Sequence, residues 1–204
     1  MKQTISEIFP TEILCCDNVL SISDSNVIEK SIYNNNITTS NKQNTLVQSG
    51  HDIHKENEFK PLVNKVVQSV KNYINHKQWI CDDFKISGMW SNIQKSGEYF
   101  KPHNHANNIL SGVYYVKSDS TSQIIFMDPR PQMSVLKPSN KIETRTNSDR
   151  WFYPSVQNRL LLFPSWLNHY VDTNHSSDDR ISVAFNIMLS GTIGDPRYFQ
   201  SAEF

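Results

Sequence analysis

A succession of short apolar runs, separated by turn residues, most constrains the fold of this 204-residue chain. The runs begin near Phe84, and they read FKISGMWSNIQ, ILSGVYYV, SQIIFMD, QMSVLK, RLLLFP and ISVAFNIML. No helical pattern alternates with them, which argues against a parallel βαβ sheet. Several strands of this length in succession predict an antiparallel sandwich or barrel.

One amphipathic helix precedes the strands, at about residues 58–78. Four apolar residues recur in it at four-residue steps, and they are Leu62, Val66, Val70 and Ile74. This spacing gives the helix one apolar face that can pack on a sheet. We therefore predict a single domain over residues 1–204 of mainly β (α+β) class, with a β core at about 84–190 and this helix as its support.

Charge and cysteine content narrow the function classes. The chain has 20 Lys and Arg residues against 20 Asp and Glu residues, so its zero net charge argues against binding to long nucleic acid or to an anionic membrane surface. Its three cysteines form no C-x-x-C pair, which disfavours a thiolate zinc site. The odd count and the absence of an apolar leader predict an intracellular, cytoplasmic protein, and no apolar run is long enough to span a bilayer.

Two histidines, His103 and His105, stand one residue apart in the stretch KPHNHANN. On a strand, residues i and i+2 point to the same side, so the two imidazoles could converge on one metal ion. The pair alone is weak evidence for a metal site, and two polar residues beside a turn are the more common interpretation.

Two further residues lie in apolar surroundings where polar groups need a partner. His169 follows an apolar run in FPSWLNHYV, where it is either a third metal ligand or a core histidine bonded to the backbone. Arg180 opens the last long strand with Ser182 on the same face, and a buried arginine needs an anion. The alternative for Arg180 is a salt bridge to Asp178 or Asp179.

Taken together, these motifs resemble the iron(II)- and 2-oxoglutarate-dependent oxygenases, and within them a bacterial and phage family near the prolyl hydroxylases. The resemblance is carried by residues 103–105, 110–116, 128–130, 163–169 and 180–186, and by FPTEI at 9–13. It implies a double-stranded β-helix (jelly-roll) core.

The resemblance also implies a set of site residues. Fe(II) would be held by His103, His105 and His169, with His105 in a position that a carboxylate usually fills and with Asp128 as the alternative ligand. The far carboxylate of 2-oxoglutarate would pair with Arg180, assisted by Ser182 and Tyr115, with Asn92 nearby. Strand alternation allows only one residue of the Tyr114–Tyr115 pair to face the site, and Tyr115 is the one we expect there. No catalytic residue beyond the metal site is implied.

A site of three histidines leaves the metal without an anionic protein ligand, so it should be more cationic and should favour the anionic 2-oxoglutarate.

The expected activity is a dioxygenase that uses dioxygen and 2-oxoglutarate to hydroxylate a C–H bond of a peptide, protein or small-molecule substrate, with release of succinate and CO2. Two alternatives remain at this point: a cupin-like metal-dependent lyase or isomerase, which would not need Arg180, and a non-catalytic metal-binding β-barrel. Polar tracts at 34–56 and 137–152 are expected to form loops that shape the substrate pocket. The sequence does not indicate the substrate or the oligomeric state.

Overall fold

The computed structural model describes residues 1–34, 47–130, 132, 135–195, 197 and 199–204. In chain order, its elements are β1 (Leu14–Cys16), α1 (Ile22–Asn34), β2 (Val47–Gln48), two 3₁₀ turns (Ile53–Lys55 and Asn57–Phe59), α2 (Lys60–Lys77), β3 (Asp83–Gln94), β4 (Phe100–His103), β5 (Leu110–Lys117), β6 (Asp119–Met127), β7 (Arg150–Val156), β8 (Leu160–Pro164), β9 (His169–Val171), β10 (Arg180–Ser190), β11 (Thr192–Asp195) and β12 (Gln200–Glu203).

The strands form two antiparallel sheets and a hairpin. The larger sheet has the order β1-β8-β5-β10-β3-β2, the smaller sheet has the order β4-β9-β6-β7, and β11 pairs with β12. From β3 to β10 the chain crosses from one sheet to the other at every connection except that between β6 and β7. This winding is the predicted double-stranded β-helix, and the prediction of fold class is confirmed.

The two faces of the larger sheet pack in two separate hydrophobic cores. Its outer face packs under the helices, where α2 contributes Leu62, Val66, Val70 and Tyr73. Its inner face meets the smaller sheet in a second cluster, made of Val113, Tyr115, Ile124, Phe126, Leu161, Phe163 and Leu167. Because successive residues of a strand point to opposite faces, β5 sends Tyr114 to the helical core and Tyr115 between the sheets.

The predicted helix at 58–78 is present as α2, but the structure has a further helix that the sequence analysis missed. Near the N-terminus, Leu14–Cys16 forms a short strand, and the further helix α1 starts at Ile22. The hydroxyl of Ser21 accepts the backbone N–H of Asp24 at 3.1 Å and donates to the Asp24 carboxylate at 2.7 Å, which caps this helix. The Ser-x-x-Asp spacing was the available signal. Of the predicted loop at 34–56, residues 35–46 lie outside the described part of the chain.

None of the helices within the described ranges is long and apolar enough to cross a membrane.

Candidate metal and cosubstrate site

His103 and His169 lie directly opposite each other in the smaller sheet. His103 is the last residue of β4 and His169 the first residue of β9, and the two are paired in the antiparallel register. Facing partners of one ladder have side chains on the same side of the sheet, so both rings point into the space between the sheets. Strand pairing thus brings together two residues that are 66 positions apart in the sequence.

His105 reaches the same point from a loop. The pattern predicts both residues of the His-x-His pair on a strand, but β4 ends at His103, and His105 lies two residues beyond it. Its backbone N–H donates to the carbonyl oxygen of Ser165 at 3.0 Å, and the Ser165 hydroxyl is 2.7 Å from the Ser111 hydroxyl. The convergence therefore depends on the turn after β8 as well as on strand alternation.

The three histidines form one group that could hold a metal ion. One ring nitrogen from each of His103, His105 and His169 lies within 4.8 Å of the other two, and the ring centroids are 4.5–5.3 Å apart. Within the described ranges, no carboxylate or thiol belongs to this group. Three imidazoles that approach a metal ion from one side leave its other coordination positions open, as a catalytic metal requires.

Hydrogen bonds fix the tautomer of two of these rings. The Nδ1 of His103 is 2.7 Å from the carbonyl oxygen of Lys101, and the Nδ1 of His169 is 2.9 Å from that of Leu167. A carbonyl oxygen only accepts, so each Nδ1 carries the proton and each Nε2 keeps its lone pair for a metal. Such second contacts to ligand imidazoles orient the rings in metal sites generally.

Burial keeps two of the rings neutral. Loss of hydration, with a smaller contribution from His103, lowers the pKa of His105 to about 4. Burial likewise lowers the pKa of His169 to about 3, against the opposing effect of its bond to Leu167. Near neutral pH both rings are uncharged, which is the form that binds a metal.

Asp128, the alternative ligand, is engaged elsewhere. Its Oδ1 accepts the backbone N–H and the Nε–H of Arg130 at 2.9 and 3.0 Å, and its Oδ2 lies 2.8 Å from Nη2. These bonds hold the pKa of the Asp128 carboxyl below its usual range. The structure brings His105, and not Asp128, to the other two histidines.

The Arg180 side chain lies buried on the inner face of the larger sheet, at 3% exposure. Its Nη1 donates to Oε1 of Gln94 at 3.1 Å, while its Nε has no hydrogen-bond partner. The alternative of a salt bridge to Asp178 or Asp179 is not found, because no ion pair among the described residues involves Arg180. A buried cation with an unsatisfied donor fits a site for an anion, and a carboxylate is the ligand that suits the guanidinium fork.

Tyr115 adds a second unsatisfied donor beside Arg180. Its ring centroid lies 4.9 Å from Cζ of Arg180, it is fully buried, and its hydroxyl has no hydrogen-bond partner. Tyr114 differs, since its hydroxyl bonds to Ser25 at 3.2 Å and to Asn158 at 3.0 Å on the helical side. The expected alternation of the two tyrosines is present.

Ser182 and Asn92 extend the polar region across the sheet. In the register, Ser182 of β10 faces Tyr115 of β5 on one side and Asn92 of β3 on the other. The Oδ1 of Asn92 accepts from Nε2 of Gln48 at 2.7 Å, which turns the Asn92 amide N–H₂ away from Gln48. All four residues proposed for 2-oxoglutarate therefore lie on the inner face of one sheet.

Gln94 is a site residue that the sequence analysis did not select. It follows Asn92 on the same face of β3, directly opposite Arg180 in the register. Its spacing of two residues from Asn92 was the sequence signal that places it on the same face of the strand.

Aromatic rings surround the histidines. Across the inner face of the smaller sheet, the register places Trp151, Phe126, His169 and His103 in one row. From the larger sheet, the ring of Trp90 lies 6.0 Å from that of His105. These rings cover one side of the cluster, where His169 is buried, while His103 and His105 stay partly accessible to solvent.

Comparison with known proteins agrees with this geometry. Residues 88–186 match the model of a family described as putative 2OG-Fe(II) oxygenase. No match is found among curated proteins.

Several solved structures share the fold. A prolyl-4-hydroxylase from Pseudomonas putida is similar with a TM-score of 0.65 and 10% identity, over 89% of this chain and 94% of that chain. The 2-oxoglutarate-dependent epimerase SnoN of nogalamycin biosynthesis has a TM-score of 0.66 and 8% identity, over 91% and 79%. HygX from Streptomyces hygroscopicus, solved with nickel, 2-oxoglutarate and hygromycin B, has a TM-score of 0.63 and 9% identity, over 87% and 83%.

At these low sequence identities, the solved structures support the fold alone. The activity is inferred from the match to the family. The matched segment contains the three clustered histidines, Tyr115 and Arg180. Residues 88–186 thus match the 2OG-Fe(II) oxygenase family, and the chain is a 2-oxoglutarate- and Fe(II)-dependent oxygenase.

Proposed function

We propose that His103, His105 and His169 hold the Fe(II), and that Arg180, Tyr115, Ser182 and Asn92 hold 2-oxoglutarate, in an enzyme that hydroxylates a C–H bond of its substrate. The observation that carries this assignment is the buried Arg180–Tyr115 pair, whose unsatisfied donors lie on the inner face of the larger sheet, while His103 and His169 face the space between the sheets from the smaller one. A lyase or isomerase of the cupin type has no use for the buried arginine.

When bound, the iron and 2-oxoglutarate supply the oxidising chemistry: 2-oxoglutarate and dioxygen become succinate and CO2, and one oxygen atom is inserted into the substrate C–H bond. The protein holds and orients these groups. His103 and His169 present Nε2 because their Nδ1 protons are bound to carbonyl oxygens. His105 adds its ring from the loop held by Ser165.

Arg180 and Tyr115 fix the far end of the cosubstrate. A carboxylate bound here would accept from Nε of Arg180 and from the Tyr115 hydroxyl, and so would satisfy both orphaned donors. Charge-assisted bonds of this kind would hold one end of 2-oxoglutarate. Apolar residues of the cluster between the sheets, including Val113, Ile124 and Phe126, keep water away from this region.

For the substrate, we propose a C–H bond in a peptide, a protein side chain or a small molecule, which approaches the histidines on the side of Trp90 and Trp166. Trp166 lies three residues before His169 and is 52% exposed. An exposed indole beside a metal site offers an apolar surface on which a substrate can pack.

Succinate formation tests the assignment without knowledge of the substrate. Purified protein with Fe(II), 2-oxoglutarate and dioxygen is expected to produce succinate slowly even without substrate, and Arg180→Ala and His169→Ala are expected to abolish this. Arg197→Ala, at an exposed arginine that is paired with Asp195, is the matched control. Failure of the wild-type protein to bind 2-oxoglutarate in the presence of Fe(II) would contradict the assignment.

A further inference from the structure

Gln94 lies at the end of β3, opposite Arg180, and its whole side chain is buried. Its exposure is 0%, against 3% for Arg180. A buried amide must have its two N–H donors and its carbonyl oxygen satisfied, so the partners of Gln94 determine how it can be oriented.

The amide of Gln94 has one possible orientation. Its Nε2 donates to the backbone carbonyl oxygens of Glu98 at 2.6 Å and Asp172 at 3.0 Å. A flipped amide would place its own oxygen against these two acceptors. Its Oε1 must therefore face Arg180, and it accepts from Nη1 at 3.1 Å.

A second buried amide holds the same two segments in place. Asn174 donates from Nδ2 to the carbonyl oxygens of Gln94 at 3.0 Å and Asp178 at 2.9 Å, and its backbone N–H donates to Glu98 at 2.9 Å. The turn after β3 and the connection before β10 are thus joined by a network that ends on the Arg180 guanidinium. Networks whose members are all satisfied are rigid.

The partner that Gln94 offers to Arg180 is neutral. An amide oxygen accepts one guanidinium N–H without cancelling the positive charge, and the Nε of Arg180 stays without a partner, as does the Tyr115 hydroxyl. A glutamate at this position would form a buried ion pair with Arg180 and would use the charge that an incoming carboxylate needs. Its second oxygen would lie against the carbonyl oxygens of Glu98 and Asp172, to which the Gln94 amide donates.

We infer that Gln94 is a positioning residue that fixes the Arg180 guanidinium and reserves its charge for the second carboxylate of a dicarboxylic 2-oxo acid. This inference rests on the proposed function, in which Arg180 binds 2-oxoglutarate. It adds a determinant of cosubstrate selectivity: Gln94 favours 2-oxoglutarate over 2-oxo acids that have a single carboxylate.

The experiment compares two ligands on the Fe(II)-loaded protein without oxygen, using calorimetry. 2-Oxoglutarate has the second carboxylate and 2-oxobutyrate lacks it, so the ratio of their dissociation constants reports the contact with Arg180. Gln94→Glu is expected to reduce this preference for 2-oxoglutarate by about tenfold or more, because the new carboxylate occupies Arg180. Affinity for 2-oxobutyrate should hardly change.

Two variants separate positioning from a general structural effect. Gln94→Met removes the amide without adding charge, and it should reduce the preference less than Gln94→Glu does. Gln68→Glu, on the exposed face of α2, makes the same charge change far from the site and should leave the preference unaltered. Circular dichroism and thermal unfolding establish that each variant is folded, and if Gln94→Glu does not fold, a lowered ratio in Gln94→Met still supports the inference.

Equal losses for both ligands, or an unchanged ratio in Gln94→Glu and Gln94→Met, would overturn the role of Gln94. Absence of 2-oxoglutarate binding to the wild-type protein would instead overturn the proposed function on which this role rests.

Discussion

Arg180 and Tyr115 lie side by side between the sheets, with the guanidinium carbon 4.9 Å from the ring centroid and with an unsatisfied donor on each residue. The two residues belong to β10 and β5, which are adjacent strands of the larger sheet. Buried donors without partners destabilise the cofactor-free protein, and an anion that accepts from both donors removes this destabilisation. The stability of the free protein and its affinity for 2-oxoglutarate therefore oppose each other at this pair.

Tyr115→Phe removes only one of these donors. We expect the affinity for 2-oxoglutarate to fall about tenfold, since a hydrogen bond to a charged group contributes about 1.5–3 kcal/mol. The free energy of unfolding of the cofactor-free protein should change little, because the hydroxyl makes no hydrogen bond of normal length and angle there. Titration calorimetry and urea unfolding measure the two quantities.

Tyr114→Phe is the matched control for that change. Its hydroxyl is bonded to Ser25 and Asn158 on the helical side, so the variant should lose about 1 kcal/mol of stability and keep its affinity for 2-oxoglutarate. If the two variants showed the opposite pattern, Tyr114 and not Tyr115 would face the cosubstrate.

Arg180→Gln replaces the buried cation with a neutral amide. Without cofactors this variant should be more stable than the wild type by about 1 kcal/mol, because an unpaired buried charge has been removed. It should bind 2-oxoglutarate at least about 100-fold more weakly, since the buried partner of the carboxylate is lost. Thermal unfolding with and without 2-oxoglutarate checks both effects: the wild type should gain about 2.7 kcal/mol at a ligand concentration of 100 times Kd, and the variant should gain almost nothing.

A variant that is clearly less stable than the wild type in the cofactor-free state would show that Arg180 is paired within the protein. The model of an anion-binding arginine would then be wrong.

The sequence contained most of the site but not the way in which it is assembled. Alternation along β5 showed that only one of Tyr114 and Tyr115 can face the site, because it follows from strand geometry alone, and the family resemblance selected Tyr115. The pairing of His103 with His169 depends on the register of β4 and β9, which no local pattern encodes, and motif order supplied it only through resemblance. The position of His105 depends on a bond to Ser165 from a turn 60 residues away in sequence.

Gln94 and α1 show two different reasons for a missed feature. The orientation of Gln94 depends on carbonyl oxygens of two distant segments, so its role is visible only in the folded chain. The helix α1 has a weakly apolar face with Ile28 and Ile32 as its buried hydrophobic residues, and the capping pair Ser21 and Asp24 was its clearest local signal. Tertiary packing under the sheet stabilises such a helix more than its own propensity does.

Asp128→Asn tests the alternative ligand directly. Since the Asp128 carboxylate is bound to Arg130 and lies outside the histidine group, we expect the affinity for Fe(II) to stay at the wild-type value. The loss of the ion pair should cost no more than about 1 kcal/mol of stability. Anaerobic Fe(II) titration measures the affinity, and a large loss that His105→Ala does not reproduce would make Asp128 the third ligand.

His105→Asp converts the three-histidine group into one with a carboxylate, and its effect should depend on 2-oxoglutarate. With three neutral ligands the bound Fe(II) keeps its full charge, so the dianionic 2-oxoglutarate should raise the affinity for Fe(II) by about tenfold or more, and Fe(II) should raise that for 2-oxoglutarate by the same factor. In His105→Asp, Fe(II) should bind more tightly when alone, and the coupling should be smaller, because the carboxylate has already neutralised one charge.

His175→Asp, at an exposed histidine outside the group, adds the same charge elsewhere and should keep the wild-type coupling. Calorimetric titration of Fe(II) with and without 2-oxoglutarate, under anaerobic conditions, gives all of these values, and an identical coupling in the wild type and in His105→Asp would rule out the charge of the site as its cause.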